Sequence, residues 1–154
     1  MDDILQRLEQ EVAVFARRVE SARTRTYGTA QLDRSAYLLL LFLHTNGECT
    51  PREYATTFAL DISTVSRQIP PLVEMGLIER HLSPADRRSS VLQLTEHGIE
   101  KLQEVRNARR NLYAEVLDDW TEDEQRQFLY LLERFNERLK KRADERAAEQ
   151  KDGQ

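Results

Sequence analysis

Apolar residues recur at helical spacing near both ends of the chain and at strand spacing once near its middle. Leu8, Val12, Phe15, Val19 and Ala22 follow at intervals of 4, 3, 4 and 3. That narrow, heptad-like stripe predicts a helix from about Asp3 to Thr26. Ala36-Tyr37-Leu38-Leu39-Leu40-Leu41-Phe42-Leu43 is apolar on all sides, which predicts a buried helix, capped by Asp33 and ended by Asn46-Gly47. Thr50-Pro51-Arg52-Glu53 has the spacing of a capping box with proline at the first helical position, and opens a short helix to about Phe58. After a turn through Ala59-Leu60-Asp61, a fourth helix places Ile62, Val65, Ile69, Leu72 and Val73 on one face and stops at Gly76. Leu77 to Leu82 and Ser90 to Leu94 read as two strands around a polar tip. A fifth helix is predicted from about Thr95 to Asp118. A sixth opens at the Thr121/Glu124 capping box and carries Phe128, Leu132, Phe135 and Leu139 at intervals of 4, 3 and 4. Beyond about Ala143 no apolar period remains, so 147–154 is expected to be a disordered tail.

Composition narrows the class. The 154 residues are 40% hydrophobic and 32% charged, with only 5 Gly and 4 Pro, which fits one mainly helical domain with long, partly exposed helices. A single cysteine excludes a disulfide framework and any multi-cysteine zinc site. His44, His81 and His97 form no ligand pair, so neither a metal nor another cofactor is expected. The start, Met1-Asp2-Asp3, is acidic and leads into no apolar segment. The longest apolar run is 8 residues, against the ~20 of a membrane span. A cytoplasmic protein without a signal peptide or membrane contact is expected.

The net charge of −4 argues against a general nucleic-acid coat, but the charge is uneven. Residues 13–36 hold Arg17, Arg18, Arg23, Arg25 and Arg34 against Glu20 and Asp33. Residues 115–124 hold Glu115, Asp118, Asp119, Glu122, Asp123 and Glu124 with no base.

The central block runs helix, short helix, turn, helix, hairpin. A short helix packed beneath a second one presents the second outward, as in a helix-turn-helix. The outward set is Ser63, Thr64, Ser66, Arg67 and Gln68. Small hydroxyls allow close approach, arginine can fork onto guanine and glutamine can pair with adenine. Thr50, at the start of the third helix, joins the candidate DNA contacts. The hairpin tip holds Asp86-Arg87-Arg88. Arginine suits narrow, electronegative minor grooves, and Asp86 is placed to orient Arg88.

With these pieces in order, the chain resembles the MarR family of winged helix-turn-helix transcriptional regulators. The resemblance rests on Asp61-Ile62-Ser63-Thr64-Val65-Ser66-Arg67, Leu72-Val73-Glu74-Met75-Gly76-Leu77-Ile78-Glu79-Arg80, Asp86-Arg87-Arg88 and Leu94-Thr95-Glu96-His97-Gly98, and covers roughly residues 5–142. It implies a mainly α fold with a small β-hairpin wing, a winged helix-turn-helix joined to a helical dimerisation region. It divides the chain into a dimerisation helix (1–32), a DNA-binding lobe (33–98) and helices completing the dimerisation region (99–146). It further implies a homodimer on double-stranded DNA, with the fourth helix in the major groove and a wing arginine in the minor groove. One feature departs from the pattern. Pro70-Pro71 falls inside the fourth helix and is expected to bend or split it near Gln68.

Further candidates carry alternatives. Tyr27, Tyr37 and His44 can line the crevice between the dimer region and the DNA-binding lobe, where the resemblance implies a small aromatic or phenolic effector, or they can simply pack. Cys49 precedes a helix N-terminus, which favours a redox-sensing thiolate, or it is a buried, inert thiol. No nucleophile–base–orienter set or glycine-rich phosphate loop is present, so no enzyme is expected. The first functional reading is a ligand-responsive repressor binding a pseudo-palindromic operator. The second is a dimeric winged-helix interaction module without specific DNA binding, favoured by Pro70-Pro71 and the acid balance.

Overall fold

The computed structural model describes residues 2–27, 32–85 and 88–152. The chain order is α1 (Asp2–Tyr27), α2 (Arg34–Asn46), α3 (Pro51–Thr57), α4 (Ile62–Glu74), β1 (Ile78–Leu82), β2 (Ser90–Leu94), α5 (Glu96–Val116) and α6 (Glu122–Asp152).

Helix starts follow from side-chain caps that satisfy orphan N–H groups. Asp33 Oδ1 accepts from Ala36 N at 2.7 Å. Thr50 and Glu53 close a reciprocal capping box: Glu53 N donates to Thr50 Oγ1 at 3.2 Å and Thr50 N donates to Glu53 Oε2 at 2.6 Å. Thr121 and Glu124 repeat it at 3.3 and 2.8 Å. The α3–α4 turn is sharper than its sequence signals. Ala59 sits at φ 51°, a left-handed position that favours glycine, while Leu60 N donates to Ala55 O at 2.8 Å.

The core lies where α2, α3, α4, α5 and the hairpin meet. Leu39, Leu40, Val65, Leu92 and Leu102 are fully buried, with Tyr54, Leu77 and Ile78 nearly so. Phe42, Tyr54 and Phe58 form an aromatic cluster with centroids 5.0–5.9 Å apart, Phe42 meeting the other two edge-to-face. The strands pair antiparallel, from Ile78 opposite Leu94 to Leu82 opposite Ser90. Cys49 adds one further rung: its N–H donates to Leu92 O at 3.2 Å and Leu92 N–H donates back at 2.7 Å. The hairpin is thereby joined to the α2–α3 connection. Gly98 lets α5 start hard against β1, since a Cβ there would lie 2.0 Å from Leu77 O.

Two expectations need correction. Residues 147–152 continue α6 as helix instead of forming a disordered tail; charged Arg, Glu and Lys have good helix propensity and need no apolar period to extend an existing helix. The Pro70-Pro71 pair neither splits nor ends α4, which is continuous over 13 residues. Its buried residues Val65, Ile69 and Leu72 flank the prolines and anchor the helix on both sides of them.

Candidate nucleic-acid interface

One face of α4 is locked into the core and the opposite face is open. Ser63, Ser66 and Arg67 are exposed on it, as are Pro70 and Glu74. Arg67 Nε donates to Ser63 O at 3.3 Å, so its stem runs back towards the N-terminal end of α4 and its guanidinium lies over the first turn. Thr64 and Gln68, expected to point outward with them, are half-buried. They turn towards the start of α2 and line a cleft of about 430 Å³ with Leu32, Ala36 and Leu72. Gln68 Oε1 is shielded there with no hydrogen-bond partner among the described residues. The expected five-residue set is therefore divided: Ser63 and Ser66 face out, Thr64 and Gln68 face the cleft, and Arg67, though exposed, also borders the cleft. Thr50 is half-buried, and its hydroxyl is occupied by Glu53 as both donor and acceptor.

The hairpin places Arg88 in an exposed position at the end of the lobe opposite the strand base. Asp86 and Arg87 lie outside the described residues. Arg80 Nε donates to Ser90 Oγ at 2.8 Å across the strands, and His81 Nε2 lies 3.3 Å from Glu48 Oε2. The first contact braces the two strands against each other, and the second ties β1 to the α2–α3 connection.

A second cluster lies at the junction of α1, α2 and α5. Arg109 and Arg23 are buried, at 8% and 7% exposure. The Arg109 guanidinium carbon sits 3.3 Å from the centre of the Tyr37 ring, a stacked cation–π geometry. Nε and Nη2 of Arg109 and Nε of Arg23 have no hydrogen-bond partner among the described residues. Burial, then the neighbouring Arg23 charge, push the Arg109 pKa down, partly opposed by Tyr37 and Tyr113. Arg23 Nη1 reaches Glu20 at 3.3 Å, but Glu20 also holds Arg34 at 3.0 Å. A buried donor without a partner costs roughly 1–3 kcal/mol, so this junction favours an anion.

Sequence reasoning placed Tyr37 here but missed Arg109. The signal was available: Gly98, Leu102, Val105 and Arg109 are all buried at intervals of 4, 3 and 4, and an arginine on such a stripe stands where an aliphatic residue belongs. Tyr27 ends α1, with its side chain outside the described residues. His44 is exposed in the last turn of α2. Cys49 is 6% exposed, and burial, reinforced by the Glu53 charge, pushes its thiol up to about 11. Of its two readings, the structure favours the inert thiol.

The fold and this open helix face define a winged-helix DNA-binding protein. Comparison with known proteins places it further. The MarR family profile matches residues 32–90. An uncharacterized HTH-type transcriptional regulator, YxaD of Bacillus subtilis (strain 168), is 36% identical over 129 residues, covering 84% of this chain and 90% of YxaD. A crystal structure of MarR superposes with a TM-score of 0.78 at 27% identity, covering 90% of this chain and 94% of that one. A mutant MarR from E. coli, complexed with operator DNA, shares the fold with a TM-score of 0.70 at 20% identity over 83% of this chain and 92% of that one. The chain belongs to the MarR family of transcriptional regulators.

Proposed function

We propose that the protein is a repressor that binds a pseudo-palindromic operator as a homodimer and releases it when a small organic anion binds. The observation that carries the DNA reading is the open face of α4, where Ser63, Ser66 and Arg67 stand exposed on a helix whose other side is fixed in the core. Arg67 reads a base edge, Arg88 enters the adjacent minor groove and Asp86 holds Arg88 in place. Thr64 and Gln68 act from the flank of the helix. The dimer reading rests on the outer helices. On α1, Leu8, Val12 and Phe15 are 40–48% exposed, and on α6 Phe128, Phe135 and Leu139 are 39–52% exposed. Among the described residues no helix is long and apolar enough to cross a membrane, so a second copy, not lipid, is the partner proposed for these stripes.

Gel shift against the DNA upstream of the protein's own gene, with unlabelled competitor and varied salt, tests this reading. Specific binding survives the competitor while its electrostatic part weakens with salt. Equal binding to every sequence would instead support the interaction-module reading.

The effector reading rests on the Arg23, Arg109 and Tyr37 junction. Two buried guanidinium groups favour a carboxylate, and the flat face of Tyr37 favours a planar ring beside it. A ligand bound between the helical region and the lobe biases the separation of the two recognition helices, which must match half-sites ~34 Å apart. Benzoate and 2-hydroxybenzoate are suitable probes. Each is expected to raise the melting temperature and weaken operator binding, and Arg109→Met is expected to abolish both effects.

A further inference from the structure

An α-helix closes by donation from each N–H to the carbonyl four residues earlier. Pro70 and Pro71 have no N–H. The carbonyls of Ser66 and Arg67 therefore lack their helical donors, although α4 continues through both prolines to Glu74. Ser66, Arg67, Pro70 and Pro71 are all exposed, so solvent can reach this stretch of α4 in the free protein. The C-terminal end of the helix is restored by other bonds: Met75 N donates to Pro71 O at 3.0 Å and Leu77 N to Leu72 O at 3.0 Å. The interruption lies on the exposed side of α4, with Pro71 at the border of the cleft against α2. The Arg67 side chain does not cover it, because its Nε is engaged one turn back, on Ser63 O.

We propose that the carbonyl oxygens of Ser66 and Arg67, released by Pro70 and Pro71, accept hydrogen bonds from an exocyclic amino group of the operator and help set its sequence. The inference rests on α4 being the helix that enters the major groove. When that face docks, water on the two oxygens is confined or removed, and an acceptor left without a donor penalises the complex. The major-groove edge offers base donors at adenine N6 and cytosine N4. The contact is made directly or through one bound water. A helix with a complete ladder has no such acceptors in its middle, so the proline pair gives this chain a preference for an adenine or cytosine amino group. The side chains beside the gap do not supply this selectivity: Arg67 only donates, and the serine hydroxyls do both, while Glu74, which only accepts, lies a turn further on at the last residue of α4.

The experiment uses the full-length protein and the operator that it enriches from random-sequence DNA. Pro70→Ala with Pro71→Ala restores both N–H groups. Alanine is the better helix former, so the double variant is expected to fold with an equal or higher melting temperature. Each adenine in the half-site is replaced in turn by purine, and each cytosine by pyrimidin-2-one, to delete single amino groups. For the parent protein, deletion at one position is expected to weaken binding by on the order of tenfold. In the double variant that penalty is expected to vanish, and the preference at that position to relax. If the double variant keeps both the penalty and the preference, the carbonyl inference is overturned while DNA reading by α4 stands. If it binds more weakly to all sequences yet keeps the penalty, the prolines act as apolar contacts and the inference is likewise overturned. If the parent enriches no sequence, the reading of α4 itself fails and takes this inference with it.

Discussion

The lobe formed by α2 to β2, with the first half of α5, and the two outer helices α1 and α6 are built from the same residue types to opposite ends. In the lobe the large apolar side chains reach 0–4% exposure at Leu39, Leu40, Val65, Leu72, Leu77, Ile78 and Leu92. On the outer helices, residues of equal size at heptad-like spacing remain about half exposed. A compact monomer of this mass exposes about 8,000 Å², whereas this chain exposes 12190 Å². The lobe completes its own core. The outer helices carry a hydrophobic pattern that the single chain does not satisfy. The periodicity of a sequence therefore reports that a face is to be buried, but not whether the burying surface belongs to the same chain.

The strongest way to break this comparison is to poison the outer stripe. Leu132→Asp with Phe135→Asp is expected to abolish the folded dimer, giving aggregation or unfolding, because obligate interfaces bury on the order of 2,000 Å² or more. Sedimentation that shows a stable, monodisperse monomer for the parent at micromolar concentration would remove the dimer from the account. A second substitution attacks the lobe alone. Gly98→Ala drives a Cβ to within 2.0 Å of the Leu77 carbonyl, a backbone clash expected to cost about 3 kcal/mol. The denaturant midpoint should fall, and an unchanged midpoint would mean that α5 and β1 can separate freely.

The third change leaves both regions folded. Arg88→Ala should weaken operator binding by ~1–3 kcal/mol per half-site with a shallower salt slope, and the melting temperature should stay put. Asp86→Ala should weaken binding as well, although it removes a negative charge. Tighter binding on that change would reduce the hairpin tip to a generic basic loop. The smallest effect concerns the caps. Hydrogen bonds from Thr50 hold the Glu53 carboxyl below its ordinary value of 4.5, and Thr121 does the same for Glu124. Both folded values are depressed, so the stabilisation is present above pH 4.5 and is lost as pH falls through the folded values. Thr50→Ala should cost ~1 kcal/mol at neutral pH. Titration of the Glu53 carboxyl by NMR checks the direction; in that variant the value should rise only part of the way back, because the Thr50 backbone N–H, the larger cause, is retained.

Local chemistry was readable from the residues wherever its partners lay within a turn or so of chain. The caps at Asp33, Thr50 and Thr121 formed as their spacing requires, and so did the hairpin and the breaks at Gly47 and Gly76. Features that depend on distant partners were not readable. The rung between Cys49 and Leu92 joins residues remote in sequence with no strand-like run around Cys49. The α5 stripe marked Arg109 as inward-facing, but that it stacks on Tyr37 beside Arg23 depends on α1 and α2. Thr64 and Gln68 passed as outward because a helical wheel does not reveal how far the N-terminal end of α2 covers its flank. Pro70-Pro71 was expected to bend or split α4, and the split does not occur because buried anchors stand on either side of the pair.

The rung between Cys49 and Leu92 has a mechanical consequence. A hairpin attached only through its own strands would swing like a flap, and its tip could follow the DNA independently of α4. Here β2 is pinned to the segment that leads into α3, and the Glu48–His81 contact pins β1 to the same segment. Hairpin and recognition helix then turn as one lever. On the proposed reading, a small rotation at the helical base would move α4 and the hairpin tip together, so the lobe would leave the groove by tilting, without letting go one finger at a time.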